Sequence, residues 1–300
     1  MSFKNAFKLL LSKFSYVWSI LLYVAIMLVV LVSLGLTFIL PVYHALTSAG
    51  VGVMLNSTIA SFLDGASLSS VFESVKEIWF AVKKVFETQP STAYNTALFV
   101  VLVLTVAYRF ILGLYEIPIV AVIQGFMSDN ARYGYTSKFV AHFGKSIAFS
   151  FVKMIFMIIF DTVIHLIVYG IILLVSPVSV LLVPIAVMFV YLVLLSFRYS
   201  IIATWSPSIV VEGKGIYSGF VYSVKFAFKH FKSVYFIFLV VWVLIISFCS
   251  FIGVFTFFVG LIVAIPISMF FINLINMTIY YGRTNKSYYL DGEIFKPDKK

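Results

Sequence analysis

Hydrophobic positions come in long unbroken runs along most of this chain, and short polar stretches separate them. A helix that spans a bilayer needs about 20 predominantly apolar residues. Six runs reach that length, approximately over residues 17–40, 93–114, 146–175, 178–204, 234–251 and 257–281. The pattern predicts an all-α integral membrane protein with six transmembrane helices and short amphipathic helices at the interface.

Proline positions predict where these runs bend or end. Apolar residues of the second run continue past Pro118 to Met127, so we expect a kinked helix or a short second segment there. Pro184 and Pro266 predict kinks in the fourth and sixth spans, because proline removes a helix donor. Pro41 is expected to end the first span.

A turn divides the connection between the fourth and fifth runs. Trp205 is expected at the headgroup level, where indole rings favour the interface, and Pro207 ends the preceding run. Gly213 and Gly215 predict a sharp reversal, because glycine adopts positive φ without strain. A new element is therefore expected to begin after Gly215.

The element after this turn, over residues 214–232, has an apolar side and a basic edge. The apolar side contains Ile216, Phe220, Val224, Phe228 and Phe231, and the basic edge contains Lys225, Lys229 and Lys232. This spacing predicts an amphipathic helix that lies in an anionic leaflet, with the three lysines on lipid headgroups. The alternative is a helix that covers the bundle, since periodicity alone does not separate the two.

Residues 41–93 form the one long connection between spans. The stretch is rich in Ser, Gly and Thr up to Ser70, where Ser70-Val71-Phe72-Glu73 has the pattern of a capping box. From there apolar residues recur at steps of three and four, with charged residues between them. We predict an extramembrane amphipathic helix of about four to five turns.

Composition and charge indicate the environment and the orientation. With 63% hydrophobic and 11% charged residues, the chain is unlike a soluble domain. The net charge of +10 comes from residues beside apolar runs, so membrane lipids, anionic ones above all, are the expected partners, and nucleic acid is not. All but four of the 21 Lys and Arg lie in 1–16, 128–145, 205–233, the polar tail 283–300 or the adjoining span ends. The positive-inside rule therefore predicts a multipass protein of the cell (inner) membrane, with both termini cytoplasmic and 41–93 outside.

A weak internal repeat links three of the basic stretches. The residues around Lys8, Lys138 and Lys229 share an alternation of aromatic and basic positions, and each stretch precedes a pair of apolar runs. We interpret this as three units, each with one basic in-plane helix and two spans. The alternative is that any basic and aromatic interface has this appearance.

Four ionisable residues inside the spans are candidates for function, because charge in a membrane is costly. Arg109 and Glu116 lie seven residues apart on one face of the second span, and Arg109 is expected to pair with Glu116 or with an acid of another span. Asp161 and His165 are four apart, so the carboxylate is expected to accept from the imidazole. The four either neutralise charge structurally or form a path for protons or cations.

The remaining polar positions indicate structure more than chemistry. Asn273 and Asn276 lie three apart on the last span, where interhelical hydrogen bonding is expected. Signatures of zinc sites, phosphate loops and hydrolases are missing from the sequence. We therefore predict no catalytic residue, no metal and no cofactor. Cys249 is the single cysteine, so no intramolecular disulfide forms.

The stretch PSIVVEGKGIYSGFVYSVKFAFKHF resembles bacterial multipass membrane proteins of the YciC and DUF975 type, and the membrane domain attached to some glycerophosphodiester phosphodiesterases. The tail around Tyr280 and Gly292 is also similar to theirs. The matching positions are Pro207, Glu212, Gly213, Gly219, Ser223 and Lys225. The resemblance covers the C-terminal third and implies a six-span bacterial inner-membrane protein linked to envelope upkeep or transport. It carries over no phosphodiesterase chemistry, because that domain is not in this sequence.

Two functions remain open from the sequence. The leading hypothesis is a non-enzymatic scaffold or accessory factor in envelope and lipid homeostasis, with a protein partner or a second copy of the chain as a further expected partner. The alternative is a transporter or channel for a small solute, an ion or a lipid. A water-filled cavity at Asp161 would favour transport, and a dry, fully paired cluster would favour the scaffold.

Overall fold

The computed structural model of the protein describes residues 2–179, 182–290 and 292–296, and these residues are almost entirely helical. The α-helices are α1 (Ser2–Ser12), α2 (Ser15–Ser48), α3 (Val51–Leu63), α4 (Leu68–Thr88), α5 (Pro90–Leu98), α6 (Tyr108–Leu114), α7 (Glu116–Ser128), α8 (Tyr135–Ala141), α9 (Phe143–Val175), α10 (Val183–Ile202), α11 (Trp205–Val211), α12 (Ile216–Lys229), α13 (Phe231–Phe255) and α14 (Leu261–Arg283). A π-helical segment, Phe99–Ala107, joins α5 to α6. Two short antiparallel strands, β1 (Tyr288–Leu290) and β2 (Glu293–Phe295), follow α14.

Six helical segments of the described chain are long and apolar enough to cross a membrane. They are α2, Pro90–Ser128, α9, Val183–Val211, α13 and α14. The predicted all-α membrane class with six spans is therefore confirmed, and the protein is a multipass membrane protein.

The order of elements repeats along the chain. Short helices α1, α8 and α12 each lead into a span after a break of one or two residues. The breaks fall at Lys13 with Phe14, at His142 and at His230. A second span follows each of these pairs. This order is the one expected for the three predicted units.

Two of the proline predictions are wrong. Pro41 lies inside α2, which continues for 34 residues instead of ending there. Membrane helices tolerate proline where neighbouring groups satisfy the freed carbonyl. Pro184 lies in the first turn of α10, where a missing N–H costs little, so it begins a helix and does not kink one. Pro266 lies inside α14, in the position predicted for a kink.

The stretch 41–93 is mostly helical, although a loop was predicted for its first half. The end of α2 and all of α3 occupy that half. The predicted amphipathic helix is present as α4, but it begins earlier than the capping-box pattern indicated. Ser67 is the N-cap, and its hydroxyl accepts from the backbone N–H of Ser70 at 3.3 Å.

The chain folds into two compact units. The first consists of Met1–Ile26 and Phe110–Lys300, and the second of Met27–Arg109. In the first unit, α7 contacts α8, α9, α11, α14 and β1. All residues from Glu116 to Ile123 are buried, as expected for a helix that is apolar on every side. The predicted second segment beyond Pro118 is thus the central helix of this unit.

Part of the predicted polar tail is an ordered hairpin. Tyr288 in β1 is 2% exposed, and its hydroxyl accepts a hydrogen bond of 2.7 Å from the side-chain amide of Asn5 in α1. Its ring contacts those of Tyr281 and Phe295, with centroids 5.7 and 5.1 Å away. The first helix and the hairpin therefore lie on the same side of the first unit. Residues 291 and 297–300 of the predicted tail lie outside the described residues.

Candidate functional site

The second and fourth spans are each interrupted where a short inner helix begins. α6 ends at Leu114 before α7, and α10 ends at Ile202 before α11. Pro118 and Pro207 both occupy the first turn of the new helix, where their missing N–H is tolerated. The last carbonyl groups of α6 and α10 lose their intrahelical donors at these interruptions. They need other partners, because they are buried away from water.

Hydroxyl groups from other spans bind the carbonyl oxygens at the end of α6. Tyr23 of α2 donates to the carbonyl oxygen of Ile111, and Ser150 of α9 donates to that of Phe110. Gly113 permits this approach, since a Cβ atom there would lie 3.1 Å from the Cα of Ser150. The first interruption is thus held in place by two neighbouring spans.

The interruption before α11 is bound by Ser223 of α12. The serine hydroxyl donates to the carbonyl oxygen of Ile201 at 2.7 Å and accepts from the N–H of Thr204 at 3.2 Å. Trp205 is 1% exposed, and its indole N–H donates to the carbonyl oxygen of Ile216 at 2.9 Å. Trp205 is therefore a core residue, because a buried backbone acceptor satisfies the indole and lets the ring enter the protein interior. Its predicted headgroup level stays a prediction.

Glu116 is the first residue of α7 and is 6% exposed. One carboxylate oxygen forms an ion pair with the ammonium group of Lys153 in α9. The other accepts from the hydroxyl of Ser206 in α11 at 2.7 Å. The helix dipole of α7 adds a favourable field, since an N-terminus attracts negative charge. Three helices therefore meet at one neutralised carboxylate.

Tyr115 extends this cluster to the last span. The side-chain amide of Asn273 in α14 donates to the Tyr115 hydroxyl at 3.0 Å and to the carbonyl oxygen of Met269 at 2.8 Å. Asn276 lies on the same helix and is 5% exposed. Within the described chain, the Oδ1 atoms of Asn273 and Asn276 are buried without a hydrogen-bond partner. The last span thus brings an interhelical hydrogen bond and two free acceptors.

Asp161 of α9 belongs to a second ion pair. Its carboxylate binds the guanidinium group of Arg198 in α10. Arg198 is 8% exposed, and its guanidinium carbon lies 5.2 Å from the ring centre of Tyr199. The imidazole Nδ1 of His165 lies 2.5 Å from the backbone carbonyl oxygen of Asp161. This contact joins His165 to the backbone one turn earlier, and its predicted contact with the carboxylate stays a prediction.

Arg109 lies in the second unit, at the end of the π-helical segment. Its guanidinium group donates to the carbonyl oxygens of Thr105 at 3.0 Å and Leu104 at 3.4 Å. Arg109 itself is the second residue of α6, and these bonds satisfy carbonyl groups of the π-helical segment that precedes it. The base that binds Glu116 is Lys153.

Sequence reasoning misses Lys153, Arg198 and Ser206. Lys153 and Arg198 were counted with the basic residues at the ends of their spans. Ser206 gave no signal, because serine is common in membrane helices. The spacing contains a usable signal, because each base follows its acid by 37 residues and lies on the next span. Two charge pairs with this spacing would have identified the partners of Glu116 and Asp161.

A further polar cluster lies outside the spans, in the turn after α11. Gly213 has the positive φ that was predicted, at +67°. Glu212 is bound by Lys214 at 2.8 Å, by Lys286 at 3.3 Å and by the hydroxyl of Tyr280. Partial burial opposes ionisation of Glu212, but the hydrogen bonds from these three donors lower its pKa to about 2. The turn is therefore tied to the end of α14 and the residues after it.

α12 begins after Gly215, which has φ −65° and not the predicted positive value. Ile216, Phe220 and Val224 pack against the buried cluster around Trp205. These residues of the predicted lipid-facing side therefore cover the bundle, as the alternative interpretation had it. The exposed residues of α12 and of the first turn of α13 include Lys225, Phe228, Lys229 and Lys232.

No protein family, no curated protein and no solved structure matches this chain. The functional assignment rests on the geometry of the chain itself. Chemically, the cluster holds each intramembrane carboxylate against a cation, an arrangement that joins helices and keeps their charge neutral.

Proposed function

We propose that the protein is a non-enzymatic scaffold or accessory factor of the membrane. Paired charges join its spans, and its basic helices hold anionic lipid. The observation that carries this proposal is that Glu116 and Asp161, the acids within the spans, are each bound to a base of the next span. To exchange a proton or a cation, such a pair has to open and leave a charge uncompensated in a medium that solvates it poorly. Two closed ion pairs therefore favour spans that stay fixed against one another over spans that open for transport.

Exposed lysines beside the spans support the lipid contact. Lys225, Lys229 and Lys232 are exposed on and after α12, and Lys8 is exposed on α1, while Lys138 on α8 is partly buried. Each lysine at an anionic surface contributes about 1 kcal/mol of attraction, which salt weakens. On this proposal, the three short helices hold headgroups at the cytoplasmic side of the cell membrane.

The test compares two sets of lysines in the full chain. We would place the protein in nanodiscs that contain a fluorescent anionic lipid and measure energy transfer from the protein to that lipid. Replacing Lys225, Lys229 and Lys232 together with Gln should reduce the enrichment of anionic lipid. Replacing Lys76, Lys83 and Lys84 of α4 with Gln removes the same charge elsewhere and should leave it unchanged. Equal effects of the two triple variants would reject the lipid-binding role.

One observation favours transport as the second candidate. Buried polar atoms of Asn273, Asn276 and Arg198 have no hydrogen-bond partner among the described residues. Water or a polar solute passing between the spans would satisfy them. Proteoliposomes under a membrane potential test this: the scaffold predicts proton and cation fluxes equal to those of empty vesicles. A flux that disappears in Asp161→Asn would support the transporter instead.

A further inference from the structure

The second unit carries an apolar surface that its own residues leave uncovered. α3 has no Lys, Arg, Asp or Glu, and the chain has none between Lys13 and Asp64. The large apolar side chains of α3 are nevertheless exposed, with Leu63 at 76% and Val53 at 75%. The others are Met54, Leu55, Ile59 and Phe62. A helix with so few polar groups requires an apolar medium around it.

α4 packs along α3. The exposed surface of α4 has two edges, one apolar and one charged. Phe72, Val75 and Trp79 follow one another at steps of three and four, so they form one continuous apolar edge. Their exposed fractions are 61%, 50% and 66%. The neighbouring edge carries the charged residues, which are Glu73, Lys76, Glu77, Lys83, Lys84 and Glu87. A helix with an aromatic edge beside a charged one is typical of the boundary between headgroups and acyl chains.

The net charge of α4 is zero, since the helix contains three lysines and three glutamates. Lys76 binds Glu73 at 2.8 Å, and its ammonium group lies 5.0 Å from the ring centre of Phe72. The ammonium group of Lys76 thus lies between the Phe72 ring and the Glu73 carboxylate, where the aromatic edge meets the charged one. A surface of this kind has no preference for anionic lipid.

We propose that α3 and α4 form a hairpin embedded in one leaflet of the bilayer, with bilayer lipid as the occupant of the apolar surface. α3 and the Phe72, Val75 and Trp79 edge of α4 lie among the acyl chains, and the charged edge lies among headgroups. The covalent connections favour lipid over a protein partner. α2 leads into the hairpin and the Pro90–Ser128 span leads out of it, so its apolar surface continues the lipid-facing surface of two spans.

This inference is independent of the function proposed above. The lysines of α12 lie on elements of the first unit and are expected to select anionic lipid. The hairpin belongs to the second unit and is expected to insert equally well in neutral and anionic bilayers, because apolar contact drives it.

The test uses spin labels on the full chain. In a Cys249→Ser background, single cysteines replace Leu55, Val75 or Trp79 on the apolar surface, and Glu77 or Lys84 on the charged edge serves as the matched control. All five side chains are exposed, so a label disturbs little packing. The labelled proteins are reconstituted into vesicles of phosphatidylcholine, with and without phosphatidylglycerol. Accessibility to oxygen, which concentrates in acyl chains, is compared with accessibility to a water-soluble nickel complex.

We expect a high ratio of oxygen to nickel accessibility at positions 55, 75 and 79, a low ratio at 77 and 84, and the same pattern in both lipids. High nickel accessibility at all five positions would place the hairpin in water and overturn the proposal. Exclusion of both reagents at 75 and 79 would show that protein covers the surface, which also overturns it. Insertion that occurs only with phosphatidylglycerol would contradict the expected indifference to headgroup charge.

Discussion

Ser206 donates a hydrogen bond of 2.7 Å to Glu116, and the two residues lie in the first turns of α11 and α7. The bond joins the two inner helices at the points where their spans are interrupted. Lys153 binds the other oxygen of the same carboxylate. Glu116 is therefore shared between a hydroxyl and an ammonium group from two different spans, and its removal affects all three helices.

Removing one partner of this ion pair should cost more than removing both. Lys153→Met leaves a buried carboxylate without its cation, and we expect a loss of about 3–5 kcal/mol in the free energy of unfolding. Adding Glu116→Gln should restore most of it, because a neutral amide still accepts from Ser206. Denaturant unfolding in detergent measures both. Lys76→Met, which breaks an exposed pair, should cost no more than about 1 kcal/mol. Equal losses in the single and double variants would show that the pair is not the reason for the loss.

Gly113 is predicted to accept no larger side chain. In Gly113→Ala the new methyl group would meet the backbone of Ser150, where the hydroxyl of that serine binds the end of α6. Overpacking of this kind costs about 1–3 kcal/mol. Gly170→Ala in α9 is the matched control, since no atom lies within 4 Å of the position that its Cβ would take. The thermal midpoint should fall for the first variant only. An unchanged midpoint in Gly113→Ala would mean that α6 and α9 are less tightly packed than described.

The contacts of Glu212 should make stability depend on pH in the acid range. Its pKa is about 2 in the folded protein and about 4.5 ordinarily, so the unfolded chain binds more protons between these values. The stabilising effect is complete above pH 4.5 and is lost as the pH falls towards 2. We expect Glu212→Gln to lower the thermal midpoint at pH 7, by an amount equivalent to about 1 kcal/mol or less for a partly exposed pair. The difference in thermal midpoint between wild type and variant should disappear as the pH falls towards 2. A gap that stays constant from neutral pH to pH 3 would contradict this, and Glu77→Gln serves as the control.

Cysteine labelling of intact cells tests the predicted orientation. The hydrogen bond between Asn5 and Tyr288 brings α1 and the C-terminal hairpin to one side of the first unit. The positive-inside rule assigns that side to the cytoplasm. In a Cys249→Ser background, Lys84→Cys should react with an impermeant reagent, and Ser287→Cys should react only after the membrane is opened. The reverse pattern would invert the topology.

The spans were predictable because length and apolarity alone decide whether a helix can cross a bilayer. Details that depend on contacts distant in sequence were not. Tryptophan favours the membrane interface, but the indole of Trp205 donates to the carbonyl oxygen of Ile216 and is buried in the core. Proline often ends a helix, yet α2 continues through Pro41. For Trp205, a tertiary contact outweighed the local preference of the residue type.

The C-terminal hairpin had a local signal that was overlooked. Asp291-Gly292 stands between two three-residue stretches rich in tyrosine, isoleucine and phenylalanine, and Asp-Gly is a strong hairpin signal. Gly292 has φ +88°, which fits such a turn. Strands of three residues are too short to show alternation. Of the candidate site, Glu116 and Asp161 were identified from the cost of charge in a membrane and Asn273 from expected interhelical hydrogen bonding, but Lys153, Arg198 and Tyr115 were not predicted as their partners.

The spacing of the ion pairs has a consequence for biosynthesis. Both acids precede their bases by 37 residues in the chain, and each base lies on the following span. Each acid therefore reaches the membrane before its own base does: Glu116 before Lys153, and Asp161 before Arg198. Each acid enters unpaired and is neutralised only when the next helix arrives. Because Lys153 and Asp161 both lie on α9, the second, third and fourth spans are expected to leave the translocon together and not one at a time. Ser206, 90 residues after Glu116, completes the cluster last.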